Sequence, residues 1–358
     1  MAVISVLAVL VIVFGGLFGV YYSKDNSGNS TATGAVTITE QGSTLLLPVF
    51  EAWAPNYTGA QIQSNGGGSG SGIQGAGVGT VMIGGSDAYL TSAENAQYPN
   101  LLNIPLMISY QYVLFNLPGI STLNLNGSVI AGIYMGKITT WNNPAIQALN
   151  PGVTLPTNTI VPVHRSEGSG DTFMFTHFLS DSNSTWASKV GAGTSVNWPT
   201  VSGELSNTGN SGVLSDIHKT SYSIGYVAGT YEAQIKADGG LGHALLEDQL
   251  GQFVAPTVAN VSNAASGYLN SIPANGTVGL QYAPGSNSYP IADMEYVMVN
   301  ANQTSQSSVN AIQNFLTWAL SPAGGSNGQT LASFNLVPLP ASVIQQVDYP
   351  LINKIKVG

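Results

Sequence analysis

Apolar and polar positions along this chain switch repeatedly between the two-residue period of strands and the longer period of helices. VTITEQGSTLLLPVFEAWA, beginning at Val36, predicts a strand, a turn at 41–44 and a helix whose apolar positions include Leu47, Phe50 and Trp53. AQIQS predicts a second strand, which runs into the glycine-rich stretch 65–79; so many glycines forfeit stability unless the backbone has a reason for them. TVMIGGSDAYL predicts a buried strand ending in Gly84, Gly85, Ser86 and Asp87, and residues 101–117, LLNIPLMISYQYVLFNL, predict one or two more. Two helical pieces follow around a turn at Gly136 and Lys137, then a strand, TIVPVHR. Residues 220–234 predict strand then helix, and 289–300, YPIADMEYVMVN, a strand returning after a long insertion. SSVNAIQNFLTWALS is a periodic helix with Val309, Ile312, Phe315, Leu316 and Ala319 on one face. Such alternation is the signature of an α/β protein, and 358 residues suit two domains of ordinary size.

Composition narrows the functional classes. Only 7% of residues are charged and the net charge is −9, so eight lysines and arginines cannot build a footprint on a nucleic-acid backbone. A surface of Ser, Thr, Asn, Gln and Gly changes little in charge when carboxylates protonate, which suggests an acidic external habitat. There is no cysteine, which removes disulfides, thiolate metal sites, a cysteine nucleophile and a lipidated cysteine. Residues 1–22 hold no charged side chain and reach about 33 Å as a helix, enough to span a bilayer. They are expected to be an uncleaved transmembrane anchor, followed by a flexible tether at 23–35. N-x-S/T sequons at Asn29, Asn56, Asn126, Asn183, Asn260, Asn275 and Asn302 fit a protein held outside the cell and N-glycosylated.

The chemistry concentrates in VHRSEGSGDTFMFT, residues 163–176, which holds the one arginine of the chain, Arg165. Gly168, Ser169 and Gly170 form a small-residue turn just before a helix. Unpaired N–H groups at a helix start, the positive end of its dipole and a bidentate guanidinium together predict an anion site. Glu167 is expected to orient Arg165. Gly70, Gly72 and Gly75 match G-x-G-x-x-G after a strand, but the acidic residue expected about 20 positions on is only loosely met by Asp87. A hydrolase using Ser69 or Ser169 is a competing reading, yet neither serine has a G-x-S-x-G frame. His164, His177, His218 and His243 show no metal-binding spacing, and His164 is expected to point away from Arg165.

Several of these stretches, in order, resemble the phosphate-binding proteins (PstS-like) that deliver phosphate to ABC importers. QGSTLLLPVFEAW is similar to the opening turn of that family, GGSGSGI to its glycine-serine loop and IGGSDAYL to its strand-end Ser-Asp. GKITTWNNPAI, VHRSEGSGDTFMFTHFL, SIGYV, YPIADMEYVMVN and FLTWALS follow, so the likeness runs from about residue 36 to 340. The resemblance implies a two-lobed periplasmic-binding-protein fold (type II), with lobe I at 36–107 and 292–358 and lobe II at 108–291. It implies that Thr44 and Leu45 meet phosphate from the first helix N-terminus, Ser69 from the glycine loop, and that Asp87 accepts from a protonated phosphate oxygen. Arg165 would bind bidentately, and Ser169 and Gly170 would donate. Leu45 replaces a usual phenylalanine, and Asp171 stands where many members have threonine. A carboxylate facing the ligand selects against sulfate, because each hydrogen bond to a charged group is worth about 1.5 to 3 kcal/mol and a deprotonated anion cannot supply it. Asp171 would then serve a second ligand proton. The expected protein is a monomeric, cofactor-free solute-binding protein rather than an enzyme, with another oxyanion or a phosphate ester as the alternative ligand.

Overall fold

The computed structural model describes residues 36–269 and 271–358. The anchor and tether expected at 1–22 and 23–35 lie outside the described residues; among those described, no helix is long and apolar enough to cross a membrane.

The first segment alternates as its pattern predicts: β1 (Thr37–Gly42), α1 (Leu47–Trp53), β2 (Gln61–Gly66), α2 (Ser69–Val78) and β3 (Ile83–Ser86), with β1 paired in parallel to both β2 and β3. The glycine-rich run differs from the expected loop. It is the helix α2, because glycine lets this helix lie directly on the sheet: a Cβ at Gly72 would stand 2.5 Å from the carbonyl oxygen of Gly85 and 2.8 Å from that of Gln41. The close packing offsets a helix penalty of about 1 kcal/mol per glycine.

After α3 (Ser92–Gln97), which carries a capping box between Thr91 and Glu94, residues 101–117 resolve into one 15-residue strand, β4 (Leu101–Phe115). The chain continues through β5 (Thr122–Leu125), α4 (Gly127–Tyr134), α5 (Pro144–Leu149), β6 (Val161–Arg165), α6 (Gly170–Ser182) and α7 (Ser184–Lys189). It then forms β7 (Leu205–Asn207), α8 (Gly209–Lys219), β8 (Ser223–Ala228), α9 (Glu232–Asp238), β9 (Gly242–Glu247), β10 (Phe253–Val254) and α10 (Val258–Ser266). It returns as β11 (Ala292–Asn300) and α11 (Gln306–Leu320).

The strand order is β2-β1-β3-β11-β4-β8-β6-β7. β4 joins the two halves of this order. Its residues up to Tyr110 face β11, and from Gln111 to Phe115 they face β8. Aromatic cores lie on either side of that change of partner. Trp53 of α1 packs on Phe315 of α11 at 6.0 Å between centroids, and Phe175 of α6 stacks on Tyr226 of β8 at 4.4 Å. The predicted face of α11, Val309, Ile312, Phe315, Leu316 and Ala319, is buried throughout. Truncating Trp53 to alanine costs about 3 to 5 kcal/mol by analogy with other large core deletions.

Candidate oxyanion site

β6 delivers Arg165 at its last position, and five residues later α6 begins. Ser169 caps that helix: its hydroxyl accepts the Thr172 N–H at 3.3 Å, and its own N–H donates to the carbonyl of Thr194 at 2.8 Å. The first helical hydrogen bond is Phe173 N–H to Ser169 O, so the N–H groups of Gly170 and Asp171 precede the ladder. Arg165 is 2% exposed and is fixed from three directions. Its backbone N–H donates to the Tyr226 hydroxyl at 3.1 Å, its Nε donates to Glu167 Oε1 at 2.7 Å, and its Nη1 pairs with Asp171. Burial opposes the guanidinium charge, but Asp171 and Glu167 outweigh it and hold Arg165 firmly protonated. Glu167 is buried against its charge too, yet Arg165 keeps its carboxyl below the usual range. It orients the arginine as expected, and also accepts the Gly209 N–H at 3.0 Å. His164 points elsewhere, stacking on Trp198 at 4.4 Å.

The other wall comes from the turn after β1, from α2 and from the end of β3. Ser43 Oγ accepts the N–H groups of Leu45 at 3.0 Å and Leu46 at 3.2 Å, and its hydroxyl donates to Asp87 Oδ1. Asp87 N–H donates to Ser69 Oγ at 3.1 Å, and Ser69 donates in turn to Asp87 Oδ2 at 3.4 Å. Asp87 is 1% exposed; burial first, and then the charge of Asp171, push its carboxyl up to about 7.

The walls meet. Asn210, at the start of α8, donates through Nδ2 to Thr44 Oγ1 at 3.0 Å and to Asp171 Oδ2 at 2.7 Å. Gly70 N–H donates to Gly168 O at 3.1 Å, and the Thr230 hydroxyl donates to Leu45 O at 3.1 Å. Thus Thr44, Leu45, Ser69, Asp87, Arg165, Ser169, Gly170 and Asp171 all lie in one buried cluster. Two details differ from the sequence expectation. Ser69 is the first residue of a helix rather than part of a loop, and the Leu45 N–H is engaged by Ser43.

A model of the PBP superfamily domain matches residues 27–323. The chain is 35% identical over 331 residues to the phosphate-binding protein PstS of Pasteurella multocida, covering 90% of this chain and 92% of that one. It is 32% identical to the PstS protein of Methanocaldococcus jannaschii, covering 98% of this chain and 94% of the relative. The chain belongs to the PstS family. Its fold is the two-lobed α/β fold of periplasmic binding proteins, and it matches the solved phosphate-binding protein from Stenotrophomonas maltophilia with a TM-score of 0.68 at 19% identity, over 88% of this chain and 94% of that one.

Within this candidate site of the PstS-family chain, four participants escaped the sequence reading. Gln111 donates to Asp171 Oδ1 at 2.8 Å, Asn210 bridges the walls, Ser43 holds Asp87, and Glu295 lies behind it. Gln111 and Glu295 had a signal, since each is a polar residue inside an apolar strand that the pattern buries. Asn210 had none.

Proposed function

We propose that this protein captures inorganic phosphate between two lobes on the extracytoplasmic face of the membrane and hands it to the permease of an ABC importer. The convergence of Arg165, the α6 N-terminus, Ser69 and Asp87 in one buried cluster carries the reading. Arg165 supplies the permanent charge, the Gly170 N–H and the Ser169 hydroxyl supply neutral donors, and Thr44, Leu45 and Ser69 complete the shell from the other wall once the Leu45 N–H exchanges Ser43, and the Ser69 hydroxyl exchanges Asp87, for the ligand. Asp87 and Asp171 are acceptors for ligand P–OH groups, which favours phosphate over sulfate. Lobe I takes residues 36–107 and 292–358 and lobe II residues 108–291. The change of partner along β4 at Gln111 supports a hinge there, and closure is the functional motion. The protein works as a monomer tethered through residues 1–35, and among the described residues Asn56, Asn275 and Asn302 are the exposed sequons.

Binding rather than hydrolysis is favoured by the partners of the two candidate nucleophiles. Ser69 is engaged with Asp87 and Ser169 with the Thr172 N–H, so neither hydroxyl is aligned with a histidine base. Calorimetry of the full chain with phosphate, sulfate and arsenate tests the proposal. Phosphate is expected to bind and sulfate to fail; no phosphate binding between pH 4 and pH 8 overturns the reading, and turnover of a chromogenic phosphate ester replaces it with catalysis.

A further inference from the structure

Behind Asp87 the sheet carries a second carboxyl that the scheme above leaves unused. β11 runs antiparallel to β3 with Val297 opposite Gly85 and Tyr296 opposite Ser86. The ladder ends there, and Glu295 and Asp87 are the next residues beyond its last pair. Glu295 is fully buried. Its Oε1 accepts a hydrogen bond from the Ser109 hydroxyl of β4, while Oε2 has no N–H or hydroxyl donor. Two buried carboxyls side by side, with Glu295 Oε2 left without a donor, cannot both be ionised cheaply, and burial with the neighbouring charge raises both above the ordinary carboxylate range.

The surroundings decide which way this pair titrates. Asp293, two residues along the same strand, and Ser109 from β4 lie on the side of Glu295; Ser43 and Ser69 hold Asp87, with the charges of Asp171 of α6 and Arg165 of β6 close by. Asp293 is itself buried, and its Oδ1 accepts the Met294 N–H at 2.8 Å. Arg165 is the cation on the far side of Asp87, and it is already shared between Glu167 and Asp171.

Given that the site takes phosphate, we propose that Glu295 is a positioning residue for capture: it donates the proton shared with Asp87, so that Asp87 turns an acceptor oxygen toward the ligand. The proton makes affinity depend on the state of the pair. With it in place, one negative charge backs the bound anion; without it, two do, and the anion is repelled. Burial, and then the charge of Asp87, raise Glu295 well above the usual carboxylate range, while burial and the charge of Asp171 push Asp87 up to about 7, so the pair keeps a proton that ordinary carboxyls have lost and releases it as pH rises. Affinity must fall in that direction.

The test compares phosphate affinity of the full chain and its Glu295→Gln variant from pH 6 to pH 9. The ionisation of phosphate itself acts equally on both, so the ratio of their affinities isolates the protein. The amide is a donor that does not titrate, so the ratio of variant to wild-type affinity is expected to rise by about tenfold across the range. A constant ratio overturns the inference, whatever its value. Ser109→Ala provides a second, gentler readout. It removes the donor that stabilises the Glu295 carboxylate, so the fall in affinity is expected to move to higher pH, and an unmoved midpoint counts against the proposal. If the wild type binds no phosphate at any pH, the ligand reading fails and this inference with it; binding with parallel profiles sinks the inference alone.

Discussion

Gly170 lies against Asp87 so closely that a Cβ added to it would stand 2.5 Å from the carboxylate Oδ2. The start of α6 and the end of β3 are far apart in sequence, and this contact is where the two proposed lobes are pressed together. A methyl group there must be accommodated by opening the walls. Gly170→Ala is therefore expected to weaken phosphate binding by about 5- to 150-fold, since overpacking costs about 1 to 3 kcal/mol. Calorimetry gives the affinity, and small-angle scattering with and without phosphate should show the variant failing to reach the compact form.

Arg165 balances Glu167 and Asp171 in a buried setting. Removing it strands two carboxylates, so Arg165→Ala is expected to abolish binding and to destabilise the fold by about 3 to 5 kcal/mol. Arg165→Lys keeps the charge but loses the fork, and is expected to fold while binding about a hundredfold more weakly. Chemical denaturation separates the two effects. In the Arg165→Ala background, Asp171→Asn should restore part of the stability and none of the binding.

Asp171 is held by Arg165, Gln111 and Asn210, so its carboxylate is aimed rather than mobile. If it receives a second ligand proton, Asp171→Thr should lose affinity chiefly at pH 4 to 5, where phosphate is the monoanion, by about tenfold relative to pH 8. Equal affinities and equal pH profiles for wild type and variant would remove this role.

Glu40 and Asp348 are pushed up to about 8 by burial, from ordinary values of 4.5 and 3.8. In the folded protein they hold protons that the unfolded chain has released. Their contribution to stability is fully present below the unfolded values and is lost as pH rises toward 8. Glu167, kept below the usual range by Arg165 despite its burial, has the opposite slope, confined to lower pH. Denaturant midpoints are expected to be higher near pH 4 than near pH 8, and Glu40→Gln and Asp348→Asn should each flatten that slope by about 1 to 3 kcal/mol. Such a profile fits the acidic habitat that the uncharged surface suggests; acid unfolding near pH 4 to 5 would contradict it.

The sequence alone determined what is local. The apolar periods placed β1, β2, β3, β4, β6, β8 and β11 and the helices α1, α4, α5, α6, α9 and α11, because burial of one face is written in neighbouring side chains; the short elements β5, β7, β9 and β10 and the helices α3, α7, α8 and α10 went unread. A lone arginine beside Gly-Ser-Gly and a helix start marked one wall of the candidate site, because that chemistry sits within seven residues. Tertiary structure decided the rest. Whether residues 101–117 make one strand or two depends on having partners along the whole length, which β11 and β8 supply from nearly two hundred and about a hundred residues away. The glycine run is a helix because the surface formed by β1 and β3 receives it, whereas its own propensity argues for a loop. Asn210 joins Thr44 to Asp171 across 166 and 39 residues of chain, and no pattern near it announces that role. Glu295 stands behind Asp87 only because β11 pairs with β3 in one register; a shift by one residue would turn it to the opposite face.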